Sequence, residues 1–103
     1  MLISPSEEIN RIRRQLVLHS YLYYELNQTI WSDHVFDKQS KKLVDLQKEY
    51  GIVHGYKDLL FADWNGDTGF HLAKSVTGDE ISQALRILRH HLENYGNEVV
   101  GRV

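Results

Sequence analysis

The sequence predicts a mainly α fold, an antiparallel helical hairpin followed by a C-terminal helix, and three observations carry that prediction. Apolar residues recur at helical spacing in three stretches, each stretch opens on a capping side chain, and each closes on a polar or glycine break. The chain has 103 residues, 42% of them hydrophobic and 25% charged, a composition that buries one core and argues against disorder. A single domain over residues 1–103 is expected, with the hairpin in 1–50 and an unassigned second part in 51–103.

The first helix starts at Ser4-Pro5-Ser6-Glu7, where a hydroxyl caps, proline suits the first turn and Glu7 is spaced for a capping box with Ser4. It is expected from about residue 5 to about residue 26, with Ile9, Ile12, Leu16, His19, Tyr23 and Leu26 on one stripe. Leu18, Leu22, Val17, Tyr21 and Tyr24 widen the apolar surface beyond that stripe. A helix so broadly apolar is sandwiched between neighbours or carries a ligand.

Asn27-Gln28-Thr29 is a polar break, and Ser32-Asp33 opens the second helix, with the Asp33 carboxylate at the positive end of the helix dipole. This helix should span about residues 33 to 50, sending Val35, Phe36, Leu43, Leu46 and Tyr50 to the core and ending at Gly51. Residues 51–76 stay mixed, because Tyr56 to Phe61 suits either a helical turn or an extended segment. The Asn65-Gly66 pair suggests a small β-hairpin around residues 61–72, Phe61 to Asp63 pairing with Phe70 to Leu72. Thr77 and Glu80 form a capping box for the last helix, whose face carries Ile81, Leu85, Leu88, Leu92 and Tyr95 and which Gly96 should end, leaving Asn97 to Val103 frayed or loosely docked.

Charge and composition narrow the function. Fourteen acidic against 12 basic residues give a formal charge of −2, so no overall field draws the chain to nucleic acid or to an anionic membrane. The absence of cysteine removes disulfides and thiolate chemistry, and with no apolar run of membrane-spanning length and no secretory start, a cytoplasmic protein is expected. Asp63, Asn65, Asp67 and Gly69 alternate as in a calcium loop, but Thr68 and Lys74 occupy the positions where glycine and a bidentate glutamate belong, so a turn is preferred. The histidines show no metal-ligand spacing, and His90 and His91 point about 100° apart on a helix. No metal site is expected. Arg11, Arg13 and Arg14 form a basic cluster able to meet a phosphate, although a solvated helix face is its commoner meaning.

Residues 19–37 read His19-Ser20-Tyr21-Leu22-Tyr23-Tyr24-Glu25-Leu26-Asn27-Gln28-Thr29-Ile30-Trp31-Ser32-Asp33-His34-Val35-Phe36-Asp37. This stretch resembles the N-terminal nicotinamide-binding (Ia) domain of NAD-dependent bacterial DNA ligases, in which a His-x-x-x-Tyr-Tyr type helix end is followed, after a short turn, by Ser-Asp-x-x-Tyr-Asp. The resemblance covers about residues 6 to 50, roughly half of the chain. It implies a pocket for the nicotinamide mononucleotide (NMN) half of NAD, lined by Tyr23, Tyr24, Asp33, Phe36 and Asp37. Those residue types suit a flat cationic ring: aromatic faces attract it, and two carboxylates four residues apart on one helix offset its charge. Phe36 departs from the family's tyrosine, losing one hydroxyl and about 0.5 to 1.5 kcal/mol if that hydroxyl made a hydrogen bond. The family's proline-bearing connector is also missing, since Pro5 is the only proline.

The resemblance implies no ligation by this chain. The family's adenylation chemistry needs the lysine of a Lys-x-Asp-Gly motif, and the nearest string, Lys48-Glu49-Tyr50-Gly51, lacks the aspartate. Two function classes follow: a non-catalytic accessory protein with NMN or NAD as ligand, or a protein-interaction module that uses the hairpin as scaffold, with Tyr21, Tyr23, Tyr24, Trp31 and Trp64 as anchors. A phage or mobile-element origin would suit such a compact relative. The tyrosines also have a plain reading as core, Asp33 as a helix-start residue, and Asp37 as a solvated or lysine-paired carboxylate.

Overall fold

The computed structural model describes the backbone of residues 4–66 and 69–102, with side chains described up to residue 94. Four helices follow in chain order: α1 (Pro5–Tyr24), α2 (Asp33–Tyr50), α3 (Phe70–Ala73) and α4 (Gly78–Arg102). The protein is mainly α. Among the described residues no strand occurs.

Helix α1 is the axis on which the other three pack. Ser4 Oγ caps it by accepting from the Glu7 N–H at 3.2 Å, and Glu7 and Glu8 complement the dipole in the first turn. Its broad apolar surface serves two cores. Ile9, Ile12, Leu16 and Val17 join Leu43, Phe61 and Leu72 in one, while Leu18 and Leu22 meet Ala84 in the other. The sandwiched arrangement explains why α1 is apolar around so much of its circumference.

After α1 the chain reverses through Asn27, which takes a left-handed φ of 54° that asparagine tolerates well. Ser32 then caps α2, accepting from the Val35 N–H at 3.2 Å, and Gly51 at φ 82° closes the helix. Tyr23 and Tyr24 share a cavity with Asp33 and Asp37 at the start of α2, whereas Arg13 meets Gln47 near its end, so the hairpin runs antiparallel. Leu43 is its buried apolar anchor, with Phe36 and Leu46 packed beside the core, whereas Tyr50 is exposed instead of internal.

The second half differs from expectation in three ways. Phe61 to Asp63 lie in successive turns and Phe70 to Leu72 belong to α3, so the expected β-hairpin around residues 61–72 is not formed. An isolated two-stranded ribbon is marginal in water, whereas turns satisfy their backbone groups locally, as in Trp64 N–H to Phe61 O at 3.1 Å and Ala73 N–H to Gly69 O at 3.1 Å. Helix α4 buries Ala84, with Ile87 and Leu88 beside it, and leaves Leu85 and Leu92 exposed. The seam is therefore rotated from the expected leucine face, because the small Ala84 side chain lets α4 approach Leu18 and Leu22 closely. Gly96 does not end α4, which continues to Arg102; a glycine inside a helix costs only about 1 kcal/mol. The side chain of Tyr95 lies outside the described residues.

Arg13 fastens the two halves together. Its side chain is fully buried and donates to Gln47 Oε1 at 2.9 and 3.2 Å, to Val53 O at 3.0 Å and, through longer bonds, to Tyr56 O and Asn10 Oδ1. Gln47 in turn donates to Phe61 O at 3.0 Å. Burial pushes the guanidinium pKa down, with Asp58 opposing the shift. The basic cluster is thus divided: Arg13 is internal, Arg11 pairs with Glu8 and Arg14 lies over the Tyr56 ring. At the other junction Glu80 accepts from Thr77 N–H at 2.8 Å and from Tyr56 Oη, and pairs with Lys57 at 3.3 Å. Half of the expected capping box therefore also ties the 56–57 turn to α4.

Candidate functional site

The end of α1, the start of α2 and the loop before α3 enclose an open cavity of about 380 Å³, within the range of small-molecule sites. Helical geometry decides which side chains reach it. His19, Ser20, Tyr23 and Tyr24 lie on the last turns of α1, while Asp33, Phe36 and Asp37 share one side of the first turn of α2 through their three- and four-residue spacing. All five residues singled out from the sequence, Tyr23, Tyr24, Asp33, Phe36 and Asp37, line this cavity.

The walls are aromatic and the rim is acidic. Tyr23 and Tyr24 are 44% and 40% exposed and meet edge to face, centroids 4.9 Å apart, so they are rim residues and not core. Tyr24 also meets Phe70 edge to face at 5.5 Å. Phe36 is half-buried against the core, and Asp33 and Asp37 are exposed, with no hydrogen-bond or ion-pair partner among the described residues.

His19 and Trp31 add a floor. Their rings stack with centroids 4.0 Å apart and planes 8° from parallel, and burial lowers the His19 pKa from 6.5 to about 4. At neutral pH the imidazole is uncharged. Among the described residues, the buried His19 Nδ1 and the neighbouring Ser20 Oγ have no hydrogen-bond partner, which is unusual for native polar groups. Gln28, Ile30, Gly66 and Gly69 complete the lining.

The sequence alone does not mark Ser20, Trp31, Gly66 and Gly69 as pocket residues, and it places His19 only on the stripe of the first helix. The two glycines come from the half of the chain without the ligase resemblance, and no local signal marks them as facing a pocket. Gly69 is required there by contact: a Cβ at that position would lie 1.9 Å from Ser20 Oγ and 2.9 Å from Phe36 Cζ. The ring tip of Phe36, where the family carries a tyrosine hydroxyl, thus lies beside Gly69.

The other sequence candidates do not gather at this site. Trp64 packs on Phe61 at 5.4 Å, and Tyr21 packs beside Leu18 and Leu22, so the five proposed anchors do not form one patch. Among the described residues no cluster of His, Asp or Glu could hold a metal ion; of the calcium-like string, Asp67 and Thr68 lie outside the described residues. No helix is long and apolar enough to cross a membrane among the described residues.

Comparison with known proteins bears on the same region. A DNA ligase of Thermosipho africanus is 43% identical over 44 residues, which is 43% of this chain and 7% of the ligase. The chain carries a DNA ligase-like segment. A ligase of Thermotoga petrophila is 36% identical over 44 residues and one from a Thermoanaerobacter species 33% identical over 48. The ligase-like segment thus corresponds to only 6 to 7% of the length of these relatives. No family model matches the chain, and no solved structure matches it.

Proposed function

We propose that this chain is a small non-catalytic accessory protein whose cavity takes the nicotinamide end of a nicotinamide nucleotide, NMN or NAD. The observation that carries the reading is the convergence of Tyr23, Tyr24, Asp33, Phe36 and Asp37 on one cavity of about 380 Å³. Aromatic faces and unpaired carboxylates attract a flat cationic ring, and a largely preformed pocket of this volume accepts a ligand of that size. The ligase-like segment supports the same reading, because it is the nicotinamide-recognising part of the family that the motif resembles.

No chemistry is assigned to the chain. No Lys-x-Asp-Gly string occurs in its sequence, and the most perturbed titratable group at the site, His19, is buried against Trp31 with no hydrogen bond to the neighbouring Ser20 hydroxyl.

The test is a titration of the protein with NMN and with NAD, followed by ligand-observed NMR, with Asp37→Ala alongside. Micromolar to low-millimolar binding that is lost in the variant supports the reading. Absence of binding at several millimolar refutes it and leaves the hairpin as a scaffold for a protein partner, with the exposed Tyr23 and Tyr24 as its first candidates.

A further inference from the structure

Helix α4 carries an apolar seam that the fold only partly uses. Ile81, Leu85, Leu88 and Leu92 follow one another at intervals of four, three and four residues, the heptad spacing of a coiled coil, and the sequence continues it to Tyr95 and Val99. At about 100° per residue the seam lies roughly a quarter-turn round the helix from Ala84, which meets α1. Ala84 is fully buried and Leu88 half-buried, whereas Leu85 and Leu92 are 44% and 54% exposed. The three leucines form, with Arg89 and Glu93, a shallow open groove along the helix. Among the described residues none after Leu88 joins either core, although α4 runs on to Arg102. A projecting helical segment of that length is marginal in water by itself, so its apolar seam calls for a partner.

Two observations identify that partner as a second copy of the chain running in the opposite direction. The first is what flanks the seam. With Leu85 and Leu92 at a and Leu88 at d, Ala84 and His91 fall at g and Arg89 at e. The g edge is turned toward α1, Ala84 being fully buried and His91 half-buried. In a parallel pair the e edge of one helix faces the g edge of the other, which would drive Arg89 against α1 of the other copy. In an antiparallel pair e faces e and g faces g, so the exposed edges meet.

The second observation is charge. Arg89 and, one turn on, Glu93 stand exposed along the outer edge of the groove, and neither has an ion-pair or hydrogen-bond partner among the described residues. A two-fold axis passing between them brings Arg89 of each copy beside Glu93 of the other. One pair of residues thus supplies two opposite-charge contacts, the self-complementarity of an isologous interface.

We propose that α4 pairs with α4 of a second copy as a two-stranded antiparallel coiled coil, sealed by Leu85, Leu88 and Leu92 and registered by Arg89 against Glu93. Helix α4 lies outside the ligase-like stretch, and the pairing is independent of what the cavity between α1 and α2 binds.

Sedimentation equilibrium of the full chain, from low micromolar to several hundred micromolar, tests it. The mass should rise with concentration to twice 12.1 kDa, with a dissociation constant in the micromolar range. Leu85→Glu with Leu92→Glu, both at exposed positions, should weaken association at least about a hundredfold, while the dispersed Trp31 and Trp64 indole NMR signals show the fold retained. Arg89→Glu and Glu93→Arg should each weaken it roughly three- to tenfold. The two together, which exchange the charges, should restore it to within about threefold of the parent.

A monomer at several hundred micromolar overturns the inference and leaves the seam to the helix of an unrelated protein. A dimer indifferent to the leucine substitutions overturns it by placing the interface elsewhere. Charge reversals without effect, or a double exchange that restores nothing, overturn the antiparallel register.

Discussion

The His19 imidazole lies flat against the Trp31 indole, centroids 4.0 Å apart, and joins the end of α1 to the turn that leads into α2. This contact fixes the floor of the cavity and buries a titratable group, which makes the protein's stability depend on pH. Above pH 6.5 the ring is neutral in both the folded and the unfolded chain. As pH falls toward the folded value of about 4, the unfolded chain takes up the proton while the folded chain does not, so stability is lost. From these two values the loss approaches about 3 kcal/mol at pH 4 and levels off below it. Urea unfolding at several pH values checks this: the difference in stability between His19→Phe and the parent should change by that amount between pH 7 and pH 4, in favour of the variant at low pH.

Arg13 is the strongest candidate for a residue whose loss unfolds the second half. Arg13→Met leaves Gln47 Oε1 and the Val53 carbonyl without their donor, and Arg13→Lys supplies one ammonium where a forked guanidinium reaches several acceptors. Chemical denaturation should show a loss of about 3 kcal/mol for the methionine variant and a loss for lysine as well. Stability within about 0.5 kcal/mol of the parent would contradict the role assigned to Arg13.

Two glycines provide a matched comparison. Gly55, at φ 147°, has the Asn10 side chain 2.4 Å from where a Cβ would lie, and Asn10 Oδ1 accepts from Tyr56 N–H at 2.7 Å; Gly51, at φ 82°, has nothing within 4 Å. Alanine at either position strains the backbone by about 1 kcal/mol or more, and at Gly55 it also displaces Asn10. Thermal melts should therefore rank Gly55→Ala as less stable than Gly51→Ala.

Phe36→Tyr tests whether the second half has reshaped the ligase-like site. Phe36 Cζ lies 2.9 Å from the Cβ position of Gly69, so the added hydroxyl should cost about 1 to 3 kcal/mol of stability as overpacking. Calorimetric melting decides it. A tyrosine variant as stable as the parent would show that the loop before α3 yields.

Much of this was legible in the sequence because helix signals are local. Ser4, Ser32 and Gly51 mark ends where capping bonds form in the structure, and the spacing of Asp33, Phe36 and Asp37 alone places them on one face. What was not legible depends on contacts distant in sequence. Arg13 reads as one of three surface arginines until Val53 and Tyr56 come within reach of it, 40 and 43 residues later. The face of α4 was misjudged for a similar reason: leucine periodicity favours Leu85 and Leu92, but the close approach to α1 selects Ala84. Gly66 and Gly69 show their relevance to the pocket only when the loop is folded against Ser20 and Phe36.

The most direct measurement for the central claim is a two-dimensional amide and indole NMR spectrum of the protein titrated with NMN. Saturable shifts confined to Ser20, the Trp31 indole, Phe36, Asp37 and Gly69 are the predicted result, with the signals of Leu85 and Leu92 unmoved. Shifts confined to α4, or none at several millimolar, would contradict a nicotinamide pocket between α1 and α2.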